Sequence, residues 1–193
     1  MFHLFDQYTN ILPGNNEITT TNLNLLIGNL WISDYHTALN INFIKKNNIS
    51  VIINCTPDIP FIYDIIDPHL HKIHSIESYR IPVYDSLLSH DIFLMETYFP
   101  KVLPFLVTKL IKEKKNILIH CVKGRQRSAI LIAALLYILV DNKILKFNHN
   151  NNESNINNII KYILHLRPRA FRLGYSINFK KALENFFKVK ITI

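Results

Sequence analysis

The sequence predicts an α/β domain, a central mixed sheet of about five strands with helices on both faces. Three observations carry that expectation. Residues 49–55 (Ile-Ser-Val-Ile-Ile-Asn-Cys) and 116–120 (Asn-Ile-Leu-Ile-His) are short, β-branched apolar runs, the kind found in strands buried on both sides. Segments with apolar residues at helical intervals alternate with them, as in layered folds built on parallel strands. One such segment, 127–140, is apolar almost all the way round, as a helix at the centre of a domain has to be.

The elements follow in order. Residues 1–22 are polar and irregular, with Pro13-Gly14-Asn15-Asn16, and are read as an N-terminal extension to a domain spanning 23–193. Within 23–32, apolar runs on either side of Gly28-Asn29 suggest a tight hairpin. Asp34 is the expected N-cap of a helix carrying Ala38, Leu39, Ile41 and Ile44, which ends at Asn47-Asn48. After the strand at 49–55, prolines and scattered polar residues in 56–75 indicate a loop with room for one helical turn. Residues 79–84 are extended, with Pro82 at a sheet edge or strand end. Residues 92–112 have helical spacing, but Pro100 and Pro104 are expected to kink or split that helix. Beyond the strand at 116–120 and the apolar helix, an Asn-rich loop leads to Ser154 or Asn155 as the next N-cap. That helix runs to about Leu166, Pro168 breaks the chain, and 175–188 form a last amphipathic helix. Trp31 and the aromatic residues of the last two helices fit core positions.

Composition narrows the class. Of 193 residues, 49% are hydrophobic and 19% charged, which suits one globular domain and excludes a disordered chain. The longest apolar run, 129–140, falls short of the roughly 20 residues of a membrane-spanning helix. Residues 1–10 have no basic start or continuous apolar stretch, so no signal peptide is expected. With only 2 cysteines, an intracellular, cytoplasmic and reducing setting follows as the expectation. The net charge of +8 points to an anionic partner, nucleic acid, phosphoprotein or acidic lipid. An abundance of Ile, Asn and Lys, as AT-rich codons favour, accounts for the charge equally well.

The chemistry concentrates in 119–129, Ile-His-Cys-Val-Lys-Gly-Arg-Gln-Arg-Ser-Ala, between a predicted buried strand and a predicted buried helix. At such a junction, loop and first-turn N–H groups lack backbone partners and meet the positive end of the helix dipole, making a site for a phosphate-sized anion. Val122, Lys123, Gly124, Arg125, Gln126 and Arg127 are the expected phosphate-binding residues, and Gly124 permits the tight turn. Cys121, at the base of the loop, faces the same field, which favours its thiolate and makes it a nucleophile. Arg127, six positions on, closes over the anion with a planar fork, and Ser128 can donate its hydroxyl to the sulfur.

This Cys-x5-Arg-Ser loop preceded by His120 resembles the signature of cysteine-dependent phosphatases, and its Arg-Ser-Ala ending resembles the dual-specificity branch. The likeness extends to Leu25-Leu26-Ile27-Gly28-Asn29-Leu30-Trp31-Ile32 with Ala38, to Val51 through Asn54, and to Arg167-Pro168. Gln126 before Arg127, and the Ile- and Asn-rich composition, are similar to dual-specificity phosphatases of large DNA viruses. The resemblance implies the dual-specificity phosphatase fold and activity on phosphotyrosine and phosphoserine or phosphothreonine through a phosphocysteine. It implies no metal and no cofactor. It also requires an acid upstream of the nucleophile: Ile81-Pro82-Val83-Tyr84-Asp85 with Asp91-Ile92 resembles the family's acid segment. Asp85 is the expected acid and Asp91 the alternative, otherwise the N-cap of the next helix. Cys55, in a position where some relatives trap the oxidised nucleophile, is a redox partner for Cys121 or simply a small buried apolar residue.

Other readings stay open at this level. Lys123 and Arg125 make the loop basic, as in relatives that act on phosphoinositides or other lipid phosphates, and relatives also remove the 5′ γ-phosphate of RNA. A catalytically dead phospho-binding module is the alternative outside the enzyme class, against which stand Cys121, Arg127, Ser128 and an acid together. Arg167, Arg169 and Arg172 are read as a solvated helix-end cluster or a recruiting patch for an acidic partner. His69, His71 and His74 are read as surface residues, and residues 1–22 as a segment through which a homodimer could form.

Overall fold

The computed structural model describes residues 21–22, 28–66, 76–86, 88–146, 154–171 and 179–192. Five strands form one sheet, β1 (Thr21–Asn22), β2 (Leu30–Ser33), β3 (Val51–Asn54), β4 (Glu77–Arg80) and β5 (Ile117–His120), in the order β1-β2-β5-β3-β4. β1 runs antiparallel to β2, with Thr21 opposite Ile32 and Asn22 opposite Trp31, while β2, β5, β3 and β4 are mutually parallel. The sheet is therefore mixed, as expected, and it begins at residue 21, inside the segment read as an extension. The rest of that segment, and the strand expected at 23–27, lie outside the described residues. Gly28 and Asn29 do turn, with φ of 47° and 68°.

The uniformly apolar strands are explained by two cores. Leu30, Ile32, Val51, Ile53, Ile117 and Ile119 point to one face and Trp31, Ile52 and Leu118 to the other, so no position on the inner strands meets water. The second face is covered by α1 (Tyr35–Ala38), α2 (Ile41–Lys46) and α3 (Ile62–Ile66). The first is covered by α4 (Ser89–Val107), α5 (Arg127–Asp141), α6 (Asn155–Leu166) and α7 (Lys180–Phe187). In α5, Ile130, Leu131, Ile132, Leu135, Leu136 and Leu139 are all fully buried, each contributing roughly 1.5–3 kcal/mol. Such a helix cannot detach without unfolding the domain.

Three expectations are corrected. The single helix after Asp34 is two short ones: Asp34 caps α1 by accepting from Thr37 N, and Asn40 caps α2 by accepting from Asn42 N and Phe43 N. A second good N-cap in mid-segment competes with helix continuation. Conversely, α4 runs unbroken through Pro100 and Pro104. Both prolines lie on its exposed side, and the adjustment comes after them as a π turn over Thr108–Lys112, with Glu113 N bonded to Thr108 O. Asp91 does not cap this helix. Leu88 holds the N-cap position, and Asp91 lies in the first turn, accepting from the Ser86 hydroxyl. The last helix is described from Lys180, Ser154 stands at the N-cap position of α6 but makes no side-chain cap hydrogen bond, and β4 is an edge strand that ends before Pro82. No helix among the described residues is long and apolar enough to cross a membrane.

Candidate active site

β5 lies at the centre of the sheet, and α5 leaves it toward the first face, whereas β2 and β3 lead to helices on the second. Opposite exits open a crevice beyond the strand ends, the usual ligand position in open α/β sheets. The loop of residues 121–126 sits there. Gly124 has φ of +59°, and a Cβ on it would meet Ser33 O at 2.4 Å and Arg167 Nη2 at 2.7 Å, so glycine is needed twice over.

Every carbonyl from Val122 to Arg125 is held by the surrounding scaffold. Tyr35 N donates to Val122 O at 3.3 Å and Phe171 N to Arg125 O at 2.8 Å. Arg167 supplies the other two bonds, Nη2 to Lys123 O at 3.2 Å and Nε to Gly124 O at 2.5 Å. Among the described residues the amides of 122–126 have no acceptor. Carbonyls turned to the scaffold and amides left unpaired make an anion nest at the start of α5.

Cys121 is buried, with Sγ 3.3 Å from Ser128 Oγ, the second residue of α5. Arg127, 3% exposed, donates through Nη1 to Val83 O at 2.8 Å, and Nη2 lies 3.5 Å from Asp85 Oδ2. Its Nε is buried without a partner, a donor left for a ligand. The Gln126 amide is likewise buried and unpartnered. Lys123 is exposed and Arg125 half-buried. Cys121, Arg127, Ser128 and Asp85, named from the sequence, thus come together, and Asp91, the alternative acid, is instead 5% exposed and tied to Ser86.

Two neighbours of Cys121 are held neutral by burial. The His120 imidazole has its pKa lowered to about 3, mainly by burial and further by the cations Arg80 and Arg127, against a hydrogen bond with the Cys121 backbone. The Cys55 thiol, at the end of β3, is pushed well above the ordinary thiol range by burial and then by the charge of Cys121. Cys55 N donates to His120 O at 2.8 Å, so the two cysteines follow adjacent, paired strand ends.

The sequence reading missed four contributors. Arg167 is 8% exposed and bonded to the loop, which takes it out of both the solvated helix-end cluster and the recruiting patch it was read into. Arg169 is exposed, and Arg172, like His69, His71 and His74, lies outside the described residues. Asn54 and Arg80 fix the turn after Cys55: Asn54 Oδ1 accepts from Thr56 N and Oγ1 while its Nδ2, with Arg80 Nη1, donates to Ile59 O. Ser33 contributes only its backbone, against Gly124. A polar residue at a strand end and an Arg before a proline were the available signals, and neither specifies a partner.

Residues 30–188 match the family model described as dual specificity phosphatase, catalytic domain. Among solved structures, the chain resembles the Yvh1 phosphatase domain from Chaetomium thermophilum (TM-score 0.65, 18% identity, covering 88% of this chain and 95% of that one). It also resembles a mouse putative dual specificity phosphatase complexed with zinc tungstate (TM-score 0.64, 15% identity, 91% of each chain). Human DUSP28 is similar as well (TM-score 0.59, 14% identity, 83% of this chain and 88% of that one).

Proposed function

The chain belongs to the dual specificity phosphatase catalytic-domain family of cysteine-based protein phosphatases, and from that premise we propose that it hydrolyses phosphotyrosine and phosphoserine or phosphothreonine through a phosphocysteine. The observation that carries the reading is the meeting of Cys121, Ser128, Arg127 and Asp85 around one nest of unpaired amides. The Cys121 thiolate attacks phosphorus in line. As the S–P bond forms, the bond to the leaving oxygen breaks, and Asp85 gives that oxygen its proton. Arg127 Nε and the amides of 122–126 hold the equatorial oxygens, where charge accumulates in the transition state. Asp85, now a carboxylate, takes a proton from the water that attacks the phosphocysteine, and the Ser128 hydroxyl donates to the departing sulfur.

The test is the pH profile of aryl phosphate hydrolysis in EDTA by wild type, Cys121→Ser and Asp85→Asn. Turnover by wild type is expected, with none by Cys121→Ser and a ~10²- to 10⁴-fold loss in Asp85→Asn that grows as the leaving group becomes more basic. Phosphopeptide binding by wild type without turnover would instead support a recognition module. A second reading, a multiply anionic substrate, is favoured by exposed Lys123 beside Arg125 on the rim of the nest. Phosphopeptide, phosphoinositide and triphosphorylated RNA assayed in parallel separate the substrate classes.

A further inference from the structure

Arg167 joins α6 to the turn at Pro168, more than 40 residues from the loop it contacts. Its guanidinium is buried against two consecutive carbonyls, Lys123 O and Gly124 O, one donor to each. A planar fork with fixed donor spacing suits adjacent carbonyls, and a lysine ammonium cannot reproduce it. Across a planar trans peptide the C=O and N–H point in opposite directions. Fixing Lys123 O and Gly124 O on Arg167 therefore turns the N–H groups of Gly124 and Arg125 away from it. Tyr35 N and Phe171 N fix the flanking peptides in the same sense, but through backbone N–H groups that every residue type except proline supplies.

The geometry points to Arg167 as a positioning residue that aims the Gly124 and Arg125 amides at the bound phosphoryl group. The inference rests on reading 121–127 as a phosphate loop. Burial lowers the pKa of Arg167, and the charges of Asp34 and Cys121 raise it again, so the cation is electrostatically tied to the nucleophile it never touches.

Alkylation of the full chain tests this without any substrate. Iodoacetate and iodoacetamide both alkylate Cys121 Sγ with loss of iodide, one leaving a carboxymethyl and the other a carbamoylmethyl thioether, but only iodoacetate carries the charge that an anion nest draws in. Cys55, held protonated, reacts slowly with both, and mass spectrometry locates the adduct. In wild type the iodoacetate rate is expected to exceed the iodoacetamide rate. Arg167→Lys and Arg167→Gln should lower that ratio at least about tenfold, less than the ~10²- to 10³-fold effect of deleting a direct donor. Arg169→Gln, on the exposed side of the same turn, should leave it unchanged. Thermal unfolding verifies that each variant is folded. If Arg167→Gln does not fold, Arg167→Lys decides alone, because it keeps the charge and loses the fork. A wild-type ratio retained in folded Arg167→Lys overturns the positioning role. A wild type with no preference for iodoacetate overturns the phosphate loop itself, and with it the proposed function.

Discussion

The loop carrying Cys121 and the segment carrying Asp85 are joined in the proposed reaction but are built in opposite ways. From 121 to 127 only Lys123 is exposed, and four consecutive carbonyls are anchored to three different parts of the scaffold. Residues 84–86 are all exposed, and their neighbourhood is tied down by Arg127 to Val83 O, Arg127 to Asp85 and Ser86 to Asp91. The difference matches the two tasks proposed for them. Amides that stabilise a transition state gain most when they need no reorganisation, so they are fixed in advance. An acid with the role proposed for Asp85, protonating one oxygen and then deprotonating a water, needs access and adjustment, and among the described residues Asp85 is tied to the loop through Arg127 alone.

The largest effect is expected from breaking the fixed partner. Gly124→Ala puts a Cβ into Ser33 O and a side chain at φ +59°, so kcat on aryl phosphate should fall by ~10² or more as the nest is distorted. Retained kcat with a lowered melting temperature would show that the loop tolerates more movement than its anchoring suggests.

A smaller effect lies beneath the loop, in stability against pH. Folded His120 stays neutral down to about 3, whereas an unfolded histidine titrates near ~6.5. Between those values the unfolded chain binds the extra proton. The stabilisation is thus complete above ~6.5 and is lost as pH falls toward the folded value, by at most ~1.4 kcal/mol per pH unit. His120→Asn should flatten the decline in denaturant midpoint between pH 7 and pH 5 relative to wild type. Parallel declines would mean that His120 is not what makes this floor acid-sensitive.

The smallest effect concerns whether the fixed region can rearrange at all. If Cys55 traps oxidised Cys121, peroxide treatment should give a Cys55–Cys121 disulfide, the sulfenic acid losing its oxygen as water, with activity restored by thiol. Oxidation of Cys121 straight to sulfinic acid would leave Cys55 as packing and the floor as rigid as the loop above it.

Legibility in the sequence follows the range of the interactions. The strands at 51–54 and 117–120, α5, the Asp34 cap and the group Cys121, Gly124, Arg127 and Ser128 were all readable, because each is written in contiguous residues whose type and spacing carry the physics. Asp85 was readable only through the resemblance. The split at Asn40 and the unbroken helix through Pro100 and Pro104 were misjudged because capping strength and solvent-facing prolines depend on what each face meets.

By itself the sequence determined an α/β sheet buried on both faces and a Cys-to-Arg loop at a strand-to-helix junction. The tertiary structure alone decided that Arg167 grips the Lys123 and Gly124 carbonyls, that Ser33 O excludes any side chain at 124, and that Arg127 meets Val83 O and Asp85. The physical reason is that most of these partners are backbone atoms, present at every position and marked by no residue type. Only the closing of the sheet and its helices selects which carbonyl a distant guanidinium finds.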